Sequence, residues 1–143
     1  ISIAGVDDPA GKVLKDNGAA MVKETDIMKT MPKEKVRILL KHQPVIQDGS
    51  ADLFELQLSG HTHGGQIFPF HLFTRLAYEL RPGLSRADKG SWIYVSRGTG
   101  TWGPPVRFLS APEVTVIDIV RCSGDIKFDY LPRGRDVLDE KGR

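Results

Sequence analysis

The 143-residue chain has a single cysteine, Cys122, so no disulfide can form within it. No apolar run approaches the ~20 residues that span a bilayer as a helix. Neither charge sign dominates: 20 basic against 18 acidic side chains leave a net charge of +2, too little to signal nucleic-acid or membrane binding. The usual catalytic fingerprints are missing too. There is no Gly-x-Ser-x-Gly elbow and no His-Glu-x-x-His helix. Gly11-Lys12 lacks the rest of a phosphate loop, and Gly98-Thr99-Gly100 lacks the dinucleotide fingerprint and reads as a turn between hairpin strands. Cys122 is followed six residues later by Phe128, where a cysteine phosphatase needs arginine, so it reads as structural or merely exposed.

Four histidines are present, and two of them sit in Gly60-His61-Thr62-His63-Gly64-Gly65-Gln66. This segment follows an apolar run, Leu53 to Leu58, that reads as a strand. Neutral imidazole is the commonest metal ligand near neutral pH. Gly60, Gly64 and Gly65 permit the sharp turning that a ligand loop needs, and Gln66 is placed to hold the loop by hydrogen bonding. The competing reading is a solvated turn. A third histidine favours the metal reading: Val36 to Leu40 reads as another strand, and it delivers His42 just before Pro44. Ligands on α/β sheets gather at the carboxyl ends of strands.

Elsewhere, Ser2 to Val6 reads as a short strand. Asp8 and Pro9 read as a helix start, with Asp8 as its N-cap, although Gly11 and Asp16-Asn17-Gly18 interrupt the pattern. Glu24 to Met31 reads as a helix that Thr25 caps and that packs through Met28 and Met31, and Pro32 ends it. Gln47 to Ser50, Arg81 to Gly83 and Ala87 to Ser91 read as turns. Pro69 to Leu80 is either a helix over the site mouth or a loop with exposed apolar surface, and His71 within it lacks the strand-end setting of the other three. Trp92 to Ser96, Glu113 to Val120 and Asp125 to Tyr130 read as strands. Residues 1–132 form one domain portion, and 133–143 form a charged, frayed tail.

These residues reach a family. His42-Gln43-Pro44 and the string from Leu56 to Ile67 resemble the last two metal motifs of the calcineurin-like metallophosphoesterases, most nearly the bacterial branch of YkuE- and YaeI-like phosphohydrolases. Ile3 to Asp8, Trp92 to Gly100, Arg107 and Ala111 to Val114 are similar to other parts of that branch, so the resemblance covers about residues 1 to 120. It implies an α/β fold, part of a four-layer αββα sandwich with a mixed sheet and flanking helices. It also implies two divalent ions of the Mn, Fe or Zn class, with His42 and His61 on one ion and His63 on the other. The reaction implied is hydrolysis of a phosphomonoester or phosphodiester.

The family's first three motifs, Asp-x-His, Gly-Asp-x-x-Asp and Gly-Asn-His, do not occur in the chain. The expectation is therefore the C-terminal half of a longer enzyme, inactive alone, whose partner is the missing N-terminal half. A natural half-protein, a non-catalytic scaffold and a mononuclear three-histidine zinc hydrolase are the rival readings. Arg97, after a strand and before a glycine turn, is either a phosphate clamp or a salt-bridging arginine. A halved domain exposes a sheet edge or an apolar face, so dimerisation or poor solubility is expected, and a clean monomer by light scattering would contradict it. Substrate identity stays open, and so does membrane association of the parent.

Overall fold

The computed structural model describes residues 1–10, 22–87, 90–121 and 126–132. The Asp16-Asn17-Gly18 break, Cys122 and the tail from 133 lie outside the described residues. The fold is α/β. Strands β1 (Ser2–Gly5), β2 (Arg37–Leu40), β3 (Leu56–Ser59), β4 (Gly83–Arg86) and β5 (Trp92–Val95) form a mixed sheet in the order β1-β2-β3-β5-β4. The first four in that order run parallel, and β4 runs antiparallel at one edge. Helix α1 (Glu24–Lys29) precedes β2, and helix α2 (Phe70–Ala77) follows the His loop. A separate two-stranded ribbon pairs β6 (Thr115–Arg121) with β7 (Ile126–Pro132).

Alternation along the strands sorts the side chains onto two faces. Leu39, Ile93 and Val95 meet Met28 of α1 and Phe54 on one face, with Ala4 and Met31 at its margin. Ile38, Leu56 and Tyr94 form the other core, where Ile117 and Ile119 of the ribbon pack. That cover stops short of the β1 edge. On the ribbon's side of the sheet Ile3 and Leu40 remain exposed.

Two ion pairs fix the strands. Arg37 of β2 grips Glu55 through Nε and Nη2 at 3.3 and 2.7 Å, and its backbone N–H donates to the same carboxylate at 2.6 Å. Lys41 donates to Glu24 at 2.7 Å inside the core, tying α1 to the end of β2.

Several expectations need correcting. Thr25 does not cap α1; Lys23 occupies that position, without a side-chain bond. The run from Leu53 enters the sheet only at Leu56, because Leu53 lies in a turn and Phe54 packs into the core from the loop. Gly98-Thr99-Gly100 does not connect paired strands. β5 pairs with β3 and β4, and Thr115 onward pairs with β7. Gly83, expected in a turn, begins β4, and past the end of that strand the Ala87 N–H donates to the Ser91 carbonyl at 2.8 Å.

Candidate metal centre

β1, β2 and β3 are parallel and in register, so the residues just beyond their carboxyl ends are brought side by side. Asp8 follows β1, His42 follows β2 and His61 follows β3. An open depression of about 720 Å³ lies at this end of the sheet, lined by Asp7, His42, Ser59, Gly60, Tyr94 and Thr115 among others. His42 Nε2 and His61 Nδ1 are 2.9 Å apart, with the rings edge to face. The Tyr78 ring, just past α2, stacks edge-on against His61 at 5.6 Å. Asp8 Oδ2 stands 3.9 Å from His42 Nε2 and is a buried oxygen with no hydrogen-bond partner.

Burial is the largest influence drawing the His61 pKa below the ordinary histidine value. His42 adds to it, Asp8 opposes it and His63 adds a little more. The result favours neutral imidazole, the form that carries a free lone pair for metal.

The loop is built by unusual backbone. His61, His63 and Gln66 have φ of 68°, 49° and 40°, in the left-handed region that side chains other than glycine seldom enter. The turning expected of the glycines is thus shared by the histidines themselves. Each such residue costs on the order of 1 kcal/mol, so the surroundings must hold it. Gln66, almost fully buried, donates from Nε2 to the carbonyls of Trp102 and Pro104 at 2.8 and 3.2 Å, and its Oε1 accepts from the Trp102 N–H at 2.7 Å. Ser110 Oγ donates to the His63 carbonyl at 2.6 Å.

Arg107 is the hub of the loop. Its guanidinium donates to five backbone carbonyls: Ser110 from Nε, Gly98 and Gly100 from Nη1, and His63 and Arg97 from Nη2. That satisfies all five N–H donors of the fork. Burial and the neighbouring Arg97 lower its pKa, with Glu113 acting the other way. Replacing Arg107 by alanine should destabilise the chain by about 3 kcal/mol, since five carbonyls lose a charged donor. Lysine should restore less than half, having three donors and no planar fork. Urea denaturation checks both.

Arg97 pairs with Glu113 at 2.7 Å. Glu113 also accepts from Tyr94 and Thr115. Burial pushes the Glu113 pKa up, but hydrogen bonds from Tyr94, Arg97 and Thr115, with the Arg97 charge, carry it net below the usual carboxyl range. His63 Nδ1 lies 3.3 Å from the Gly100 carbonyl. His71 packs against Phe68, with its backbone over Gly65.

The described residues therefore fit one open edge of a metal site. Two imidazole nitrogens converge, and an orphaned carboxylate oxygen faces them. Among the described residues no group of three or more His, Cys, Asp or Glu side chains is placed to hold a metal ion. Sequence reasoning found both histidines and gave Asp8 a helix-capping role. Asp8 Oδ1 does accept from the Ala10 N–H at 2.7 Å.

No protein-family profile matches the chain, and no solved structure matches it at a significant level. Curated proteins do match. An "uncharacterized metallophosphoesterase" of Aquifex aeolicus is 42% identical over 118 residues, 82% of this chain and 44% of that protein. A "transmembrane protein with metallophosphoesterase domain" of Bos taurus is 36% identical over 118 residues, 80% of this chain and 26% of that protein. The metallophosphoesterase YkuE of Bacillus subtilis is 41% identical over 86 residues, 57% of this chain and 30% of that protein. The chain spans less than half the length of each of these relatives. With the histidine pair at the strand ends and this similarity across most of its residues, the chain belongs to the metallophosphoesterases.

Proposed function

We propose that the chain supplies the histidine ligands of a two-metal centre that hydrolyses a phosphomonoester or phosphodiester, in a longer protein whose other ligands come from a preceding segment. The observation that carries this reading is the pairing of His42 and His61 at 2.9 Å in a chain of this family. Both would hold one ion. His63 would serve the second after leaving the Gly100 carbonyl. When bound, such ions acidify a water nucleophile and offset the charge that grows on the phosphoryl oxygens.

The chain's own residues do the rest. Arg107 and Gln66 hold the histidine loop rigid. The depression beside them leaves room for a phosphate ester. Arg97 is engaged with Glu113, and this reading gives it no substrate contact. With only one edge of a site, the isolated chain should hydrolyse nothing.

The test is hydrolysis of bis-p-nitrophenyl phosphate and p-nitrophenyl phosphate by the longer protein, before and after chelation. Loss on chelation and recovery with manganese, iron or zinc support the reading. Turnover indifferent to chelation sinks it, and so does a protein inert with every metal, which would fit a scaffold. Full turnover by the 143-residue chain with one zinc would favour the mononuclear alternative.

The same reading extends to an apolar substrate. Around the loop, Phe68, Phe70, Phe73, Leu76, Trp102 and Phe108 are all exposed, Leu76 to 86%. Phe70 touches both Phe73 and Trp102. A patch of this kind on a soluble face marks an interaction site. No described helix is long and apolar enough to cross a membrane, while the bovine relative carries "transmembrane" in its name. A substrate with an acyl or prenyl chain would place that chain against α2 and its phosphate at the histidines. Replacing Phe73 and Leu76 together by serine should raise KM for an acylated phosphoester about tenfold and leave KM for p-nitrophenyl phosphate unchanged. An equal change for both esters would contradict it.

A further inference from the structure

Helix α2 is turned inside out. Phe70, Phe73 and Leu76 recur at a spacing of three, which sets them along one face. In a globular domain such a stripe turns to the core. Here it turns outward: the three side chains are 47, 62 and 86% exposed. The half-buried positions are His71, Thr74 and Tyr78. The His71 backbone lies over Gly65 and the Tyr78 ring meets His61. The helix is therefore held to the histidine loop by its more polar side and presents its apolar side outward.

The apolar face continues past the helix. The Phe70 ring meets Trp102, and the Phe108 backbone bonds Gln66 and Phe68 at 2.8 and 3.2 Å. Trp102, Val106, Phe108 and Leu109 are all exposed. A surface that extends from α2 across this second loop is wider than one acyl chain of a substrate can cover. Charge narrows the partner. Residues 60–78 and 97–112, which carry the face, contain no Asp or Glu, where a proportional share of the chain's 18 would be about four. The carboxylates that bound these segments in sequence are Glu79, two residues before Arg81, and Glu113, buried against Arg97. Aromatic and aliphatic side chains without carboxylates among them meet no repulsion from anionic headgroups, and tryptophan is favoured at headgroup depth.

We infer that this face docks the protein on an anionic lipid surface, with Phe73, Leu76 and Trp102 inserted among the lipids. An eight-residue helix is about 12 Å long. Tyr78, just past its end, touches His61, so docking through α2 holds the histidine pair close to the headgroup layer. The inference goes beyond the hydrolase reading: it names a surface partner, and the docking needs no metal.

The experiment is flotation of the 143-residue chain, in EDTA, with vesicles of phosphatidylcholine containing about a quarter phosphatidylglycerol. Circular dichroism confirms that each variant is folded. The chain should float with the vesicles. The double variant Phe73→Ser, Leu76→Ser and the single variant Trp102→Ser should each weaken partitioning about tenfold or more. Ile3→Ser removes an exposed apolar side chain from the uncovered sheet face and should bind as the parent chain does, which separates docking from general stickiness. A chain that does not float, or α2 and Trp102 variants that float as the parent does, overturns the inference. So does a parent dimer that binds no vesicles and that the double variant turns into a monomer, since the face would then join two copies. Hydrolysis of p-nitrophenyl phosphate by the longer protein involves no acyl chain and is indifferent to this face, so failure of the docking and failure of the hydrolase reading show separately.

Discussion

His61→Ala in the longer protein lowers kcat/KM for a phosphoester about a thousandfold, or about 4 kcal/mol of transition-state stabilisation. The expectation rests on geometry that few residues share. His61 is the point where the His42 pair, the Tyr78 ring and the left-handed loop meet. Removing its imidazole leaves His42 with no nitrogen partner within the loop, and the metal edge is reduced to a single histidine. Alanine is also poorly suited to φ of 68°, so some of the loss could come from a misfolded loop. Asn separates the two causes, because it tolerates the left-handed region far better and offers no imidazole. His61→Asn should keep the fold and still lose about a thousandfold. His71→Ala, remote from the pair, should cost less than threefold. Equal losses at His61 and His71 would mean that the segment acts through folding alone.

Gly65→Ala has the largest expected effect on stability, a loss of about 3–5 kcal/mol. Gly65 sits at φ of 84°, and a Cβ there would meet the His71 backbone N at 2.4 Å and Cα at 2.3 Å. Those atoms belong to the first turn of α2 and cannot swing aside as the end of a side chain can. Either the helix start moves or the loop unwinds. A typical domain has only about 5–15 kcal/mol in total, so the variant would be largely unfolded under mild heating. Gly64→Ala should be milder. Its Cβ would approach Ser110 Oγ and the Arg97 side chain at 2.8–3.0 Å, and side chains yield more easily. Gly60→Ala meets nothing nearer than 4.0 Å and should be nearly neutral. Thermal melts of the three variants give the ranking, and a Gly65 variant as stable as the Gly60 variant would contradict it.

That ranking also shows how far the sequence could be read. Gly60, Gly64 and Gly65 look alike in the motif, yet only the last is pressed close against backbone, and nothing local to the heptapeptide encodes that α2 folds over it. The strand ends were legible because apolar periodicity and a following histidine are local signals. The parallel register that sets His42 beside His61 follows from buried strands in an α/β fold. Arg107 was visible as a residue of note, but its five carbonyl acceptors come from two loops and the His turn, which composition cannot bring together. β4 was missed because Gly-Leu-Ser-Arg has little strand character of its own; it pairs because β5 offers it an edge. Asp8 was read as a helix cap; its Oδ1 accepts from the Ala10 N–H in a turn, and the helix expected after it lies outside the described residues.

The measurement that bears most directly on the account is the metal content of the longer protein, by mass spectrometry after dialysis. The account predicts two divalent ions per chain in the parent protein and no more than one when His42 or His61 is replaced by alanine. A parent protein without bound metal, or variants that retain both ions, would contradict it.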